Sequence, residues 1–218
     1  MQKNRQYYIF KIFLPALLLI LSAAAYSQDD YQPLDDISVF RQKMIETSEN
    51  TQNISSDFIQ LKHLSFLEED VQSKGKFFFQ KENKLRWEYT EPFYYLILFN
   101  NDSILIRDDS RTNIYDAASG RMFREINNIM LSMVNGSILE SKNFEFEYFQ
   151  NASDYKLELT PLEDNMKEFL SKIRLFINKQ DHSVDELYML ERSGDFTHIR
   201  FINKQLNENI PQHIFDLH

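Results

Sequence analysis

The chain has 218 residues, 33 acidic against 24 basic side chains, a net charge of −9 and no cysteine. That balance argues against nucleic acid and anionic membrane surfaces as partners. The missing thiol excludes disulfides, thiol catalysis and a lipid-modified N-terminal cysteine.

Lys3, Arg5 and Lys11 give the N-terminus a positive front, an apolar run covers residues 12–24, and Ala25 and Ser27 place small residues where a signal peptidase reads. Residues 1–27 are therefore expected to be a secretory signal peptide cut before Gln28. The competing reading is an anchoring helix, for which the run is shorter than the roughly 20 residues a span needs. Removing the signal takes three positive charges from a chain at −9 and leaves −12 on residues 28–218. With four glycines, five prolines and no low-complexity linker, those residues read as a single domain.

Asp36 opens a helix expected over 36–48, with Ile37, Phe40 and Met44 at three- and four-residue spacing. Strands are expected over 54–67 and 71–80, joined by the acidic turn Glu68-Glu69-Asp70. Leu85, Trp87 and Tyr89 then alternate with Lys84, Arg86 and Glu88, which puts one set on a buried face and leaves Arg86 toward solvent. After Pro92 come strands at 94–100, 103–107 and 111–116. Ile126, Ile129, Met130, Met133 and Val134 form one helical stripe that Gly136 stops, and residues 137–143 add a short helical turn. Period two returns at 144–148, 155–159, 173–177, 184–192 and 196–203. About eleven consecutive strands with two or three helices exclude a parallel βαβ design. They imply a curved antiparallel sheet, mainly β within an α+β class, with helices on its concave side.

No catalytic constellation stands out. The five histidines lack metal-ligand spacing, and there is no phosphate-binding glycine loop or nucleophile elbow. Asp108-Asp109 sits in a turn with Ser110, where aspartate serves turn geometry. We expect a non-enzymatic protein without metal or cofactor.

The stronger signal is apolar excess. Phe77-Phe78-Phe79 and the run from Tyr94 to Phe99 leave no polar face on their strands. Such a strand is either covered on both sides or lines something. One reading packs the second face on helices as ordinary core. The other has sheet and helices enclose a cavity for an apolar guest, with Met44, Met130 and Met133 as an adaptable wall.

Asp57-Phe58-Ile59-Gln60, Gly75, Lys84-Leu85-Arg86-Trp87-Glu88, Pro92 and the strand at Ile104 resemble the opening of the periplasmic outer-membrane lipoprotein carrier family (LolA-like). The resemblance implies an open half-barrel of about eleven strands under a helical lid. It implies a monomeric periplasmic carrier, which takes the acyl chains of lipoproteins from an inner-membrane exporter and passes them to an outer-membrane receptor. A carrier of another lipid-like product on the same fold is the alternative. The family latches its lid with an arginine six residues before the tryptophan. Lys81 stands there in this chain, without the planar fork of arginine. The expected sheet wall is Phe77, Phe79, Leu85, Trp87, Tyr89, Ile97 and Phe99, with Met130 and Met133 on the lid.

Overall fold

The computed structural model describes residues 30–81, 83–101, 103–116, 132 and 136–217. The expected signal peptide and the expected lid helix, with Met130 and Met133, lie outside the described residues.

A short strand β1 (Gln32–Pro33) leads into helix α1 (Ile37–Asn50). Six strands follow: β2 (Asn53–His63), β3 (Val71–Gln80), β4 (Lys84–Glu91), β5 (Tyr95–Asn100), β6 (Ser103–Asp108) and β7 (Thr112–Asp116). A 3-10 turn (Ser137–Glu140) precedes β8 (Phe144–Gln150) and β9 (Asp154–Pro161). The one-turn helix α2 (Asp164–Lys167), then β10 (Leu170–Asn178), β11 (Val184–Glu191), β12 (Phe196–Leu206) and a last 3-10 turn (Gln212–Phe215) complete the order.

The twelve strands of the described residues form one antiparallel sheet in the order β1-β8-β9-β10-β11-β12-β2-β3-β4-β5-β6-β7. The sheet is open, with β1 and β7 at its two edges. The strand beyond the eleven expected is the two-residue β1, too short to leave a periodicity in the sequence. β2 also ends at His63 rather than residue 67, because the Leu67 N–H turns back to the Leu64 carbonyl at 2.8 Å.

The register explains which side chains meet. Ser56, Phe77, Trp87 and Ile97 lie opposite one another across β2 to β5, and Ile54, Phe79, Leu85 and Phe99 form the next row. These rows share the inner face with Phe58, Leu157, Leu159, Ile173, Leu175, Leu187 and Ile199. On that face lies α1, capped by Asp36, whose carboxylate accepts from the Ser38 and Val39 N–H groups. The helix buries Phe40 and Met44 into the main cluster.

The outer face carries a second, smaller core. Leu96, Leu98 and Leu105, essentially unexposed, pack with Phe78 against Ile210 and Phe215 of the C-terminal segment. Arg86, expected toward solvent, is only 17 % exposed: its Nη1 donates to the Ile214 carbonyl at 3.0 Å, and its Nε to Glu88 at 3.0 Å. The outer face is covered here, so the alternation that separates Arg86 from Trp87 separates two interiors.

Farther along the outer face, Glu158 is buried among three cations: Lys172 at 2.5 Å, Arg174 at 3.1 Å and Lys156 at 3.3 Å. Burial raises its pKa, but the three cations outweigh it and leave the carboxyl below its ordinary 4.5. A carboxylate whose folded pKa is depressed contributes stability that is present above the unfolded value and lost as pH falls through the folded one. Urea midpoints are expected to fall as pH drops below about 4.5. Glu158→Gln should be less stable than the parent at neutral pH and lose less on acidification. Parallel pH profiles for the two proteins would contradict this account.

Candidate functional site: an apolar cavity beneath the first helix

A cavity with about 80 Å³ of free space lies between α1 and the inner face of the sheet. Its floor is the row Ser56, Phe77 and Trp87, with Ile54 beside it. β11 and β12 supply Leu187, Phe201 and Leu206, and α1 supplies Met44, Thr47 and Ser48. The floor is an aromatic cluster with ring centroids 5.4 Å apart for Phe77–Trp87, 5.6 Å for Phe77–Phe201 and 4.8 Å for Phe58–Trp87. Offset and edge-on contacts of this kind hold large rings in fixed places.

One end of the cavity is polar. The turn after β10 contributes His182 and Ser183, and β12 contributes Lys204. Lys204 is spoken for: it pairs with Asp185 and donates to the Ser183 hydroxyl and, at 3.1 Å, to the Val184 carbonyl. His182 adopts φ +56 and stacks on Tyr155. Burial, aided by the charge of Lys43, holds its imidazole below the usual histidine range and therefore neutral at pH 7. Beside the floor, burial raises the Tyr89 phenol, which donates to Gln60 at 2.9 Å.

Gly136, read from the sequence as a helix stop, crosses α1 with φ +72, and a Cβ there would sit 3.2 Å from Ser48. Among the described residues, three hydrogen bonds tie α1 down. Arg41 donates to the Leu139 carbonyl at 2.5 Å, Lys81 to the Glu49 carbonyl at 2.8 Å, and Asn207 to the Asn50 carbonyl at 3.1 Å.

Of the wall residues expected from sequence, Phe77 and Trp87 line the cavity. Phe79, Leu85 and Phe99 are buried in the adjoining core, with Tyr89 and Ile97 packed against it. Sequence reasoning missed the contribution of β11 and β12, because nothing local says that β12 pairs with β2. The alternation of Leu187, Ile199 and Phe201 was the available signal. Among the described residues no group of three acidic or histidine side chains could hold a metal. No helix among them is long and apolar enough to cross a membrane.

An open antiparallel sheet with an aromatic inner face, a helix across it and an apolar space between is a half-barrel architecture. The chain belongs to the outer membrane lipoprotein carrier protein LolA family, whose model matches residues 49–218. No curated protein matches the chain. Solved structures with a similar fold include an uncharacterized conserved protein from Thermus thermophilus, with TM-score 0.52, 8 % identity and coverage of 80 % of this chain and 90 % of that one. Another is the Pseudomonas aeruginosa MucA/MucB complex, with TM-score 0.51 and 9 % identity; 82 % of this chain matches 59 % of that one. The lipoprotein LppX of Mycobacterium tuberculosis matches at TM-score 0.45 and 9 % identity over 79 % of this chain and 96 % of that one.

Proposed function

We propose that the protein is a non-enzymatic periplasmic carrier. Residues 1–27 direct its export, and residues 28–218 act as a single, monomeric carrier domain. It shields the acyl chains of lipoproteins between an inner-membrane exporter and an outer-membrane receptor. The observation that carries this reading is the aromatic-floored cavity between α1 and the sheet, in a chain of the lipoprotein carrier family.

Each CH₂ withdrawn from water contributes about 0.8 kcal/mol, so roughly six chain carbons supply about 5 kcal/mol. Admission of a whole acyl chain would be helped by an outward shift of α1, which covers the cavity. Among the described residues, the contacts opposing that shift include the buried Phe40 and Met44 side chains and the hydrogen bonds from Arg41, Lys81 and Asn207 to backbone carbonyls. A cavity that closes on itself when empty competes with its guest and permits release to a more apolar receptor.

Lys81 is the latch residue in this reading, since its ammonium holds the last turn of α1. The contact is exposed, so its removal is worth about 1 kcal/mol or less. Lys81→Ala is expected to speed uptake of a fluorescent fatty acid about threefold in stopped-flow mixing, with the thermal midpoint almost unchanged. An unaltered uptake rate would remove Lys81 from the latch.

Native mass spectrometry of the mature protein from its own periplasm tests the function. A bound triacylated lipoprotein supports the carrier role. A free lipid keeps the fold and makes the protein a carrier of other lipids. An empty protein that also takes up no fluorescent fatty acid returns the cavity to ordinary core.

A further inference from the structure

The segments that connect the strands expose apolar side chains unevenly. The connections β2–β3, β4–β5, β6–β7, β9–β10 and β11–β12 leave from one end of the antiparallel sheet, and β3–β4, β5–β6, β8–β9 and β10–β11 from the other. Among the described residues, five large apolar side chains are exposed in these connections. Phe66 (78 %) and Leu67 lie between β2 and β3, Phe93 (76 %) between β4 and β5, and Leu162 and Phe169 (63 %) between β9 and β10. All five belong to the first end. The connections at the other end expose Lys81, Asn83, Asn101, Ser153, Gln180 and Asp181 instead.

The connections that carry the five residues adjoin one another. The Ser65 N–H donates to Asp195 of the β11–β12 turn at 2.7 Å, and the Arg192 N–H of the same turn to the Phe169 carbonyl at 3.4 Å. Thr90, just before the β4–β5 turn, donates to the Lys74 carbonyl of β3 at 3.3 Å. None of the five belongs to either apolar cluster, so packing within the fold does not account for them.

Their spread and their charged neighbours define what would cover them. From β10 to β4 the sheet runs through five strand spacings, roughly 24 Å at about 4.8 Å each. A protein interface concentrates its binding in one packed central cluster. Single rings spread over that span suit a surface that receives each of them separately, as the headgroup–acyl boundary of a bilayer does. Glu68, Glu69 and Asp70 follow Leu67, and Glu163, Asp164 and Glu168 lie between Leu162 and Phe169. These carboxylates repel anionic lipid and a second copy of the chain, and they complement the ammonium groups of zwitterionic headgroups.

We propose that this end of the sheet is a docking surface for a zwitterionic lipid bilayer, with Phe66, Phe93 and Phe169 as the inserting side chains. The proposal goes beyond the carrier reading and does not rest on it. The polar end of the cavity, at His182 and Ser183, belongs to the β10–β11 turn at the opposite end of the sheet, so docking leaves it clear.

The test is sedimentation of the mature protein with vesicles of phosphatidylcholine and phosphatidylethanolamine in equal parts, and with vesicles of phosphatidylglycerol. The protein is expected to sediment with the zwitterionic vesicles and more weakly with the anionic ones. Phe66→Ser, Phe93→Ser and Phe169→Ser are each expected to lower the partition coefficient about fivefold, and the triple variant to abolish binding. Ile114→Ser, which removes an exposed apolar side chain from β7, is expected to change nothing. Binding of the dye N-phenyl-1-naphthylamine to the cavity should be the same in parent and triple variant, which separates this surface from the carrier site. The single variants keep the test decisive if the triple variant does not fold. A protein that stays in the supernatant with zwitterionic vesicles, serine variants that bind as the parent does, or stronger binding to phosphatidylglycerol would each overturn the proposal. In the first case, a photocrosslink from position 93 to another protein would assign the surface to a protein partner.

Discussion

Gly75→Ala is expected to cost about 3–4 kcal/mol and to lower the thermal midpoint by about 10 °C. Gly75 lies opposite Phe58 on β2, and a register shift in the β3–β4 pairing at this residue brings the β4 backbone close. A Cβ at Gly75 would stand 2.0 Å from the Glu88 carbonyl oxygen and 2.6 Å from Phe58 Cζ. Neither neighbour can yield. The Phe58 ring is 1 % exposed, 4.8 Å from Trp87 and 5.2 Å from Tyr89 by centroid, and the carbonyl belongs to a paired strand. Adding Phe58→Leu relieves the ring contact and leaves the carbonyl contact, so the double variant should recover less than half the loss. Differential scanning calorimetry of the three proteins decides the matter. A Gly75→Ala midpoint within 2 °C of the parent would mean that β4 can move away, and that the floor beneath the cavity is looser than its packing indicates.

The second large effect is expected on the opposite face. Deleting residues 208–218 removes Ile210 and Phe215, which are 6 % and 1 % exposed, and should cost about 5 kcal/mol from the lost burial of two large apolar side chains. It also strips the cover from Leu96, Leu98 and Leu105 and takes away the carbonyl oxygens of Ile214 and Phe215, to which Arg86 and Asn100 donate at 3.0 Å. Asn207 is retained, because its side chain accepts from the Gln52 N–H at 2.6 Å and donates to α1. The expected result is a large drop in the urea midpoint, with binding of an apolar dye that an inner-cavity ligand does not displace. An undiminished midpoint would show that the segment is not part of the core.

These two cases also mark what could be read from the residues alone. The rows Leu85-Trp87-Tyr89 and Phe77-Phe79 announce an inner face by simple alternation, and Asp36 announces the helix laid across it. The doubly apolar run from Tyr94 to Phe99 left open whether its second face is covered or lines something, and the structure covers it. The source of that cover was hidden, since Ile210, Ile214 and Phe215 lie in a short irregular stretch without a period. The cavity was half legible for a related reason. Phe77 and Trp87 come from a contiguous meander, whereas Leu187 and Phe201 reach the same space only through the pairing of β12 with β2. Arg86 was misjudged because alternation tells one face from the other without telling wet from dry.

That pairing has a further consequence, for the order of events when the chain folds. The seam joining the two halves of the sheet runs between β2 and β12; Ser55 and Gln205, which meet across it, are 150 residues apart in the chain. Neighbouring hairpins on either side can form as soon as they are made, but the seam cannot close until almost the last strand is available. Contacts between such distant segments incur the entropy of a large loop before they yield any burial, which makes closure the slow step. A nascent chain therefore carries two incomplete half-sheets with exposed apolar faces, and its vulnerability to proteolysis and aggregation should end abruptly when β12 docks.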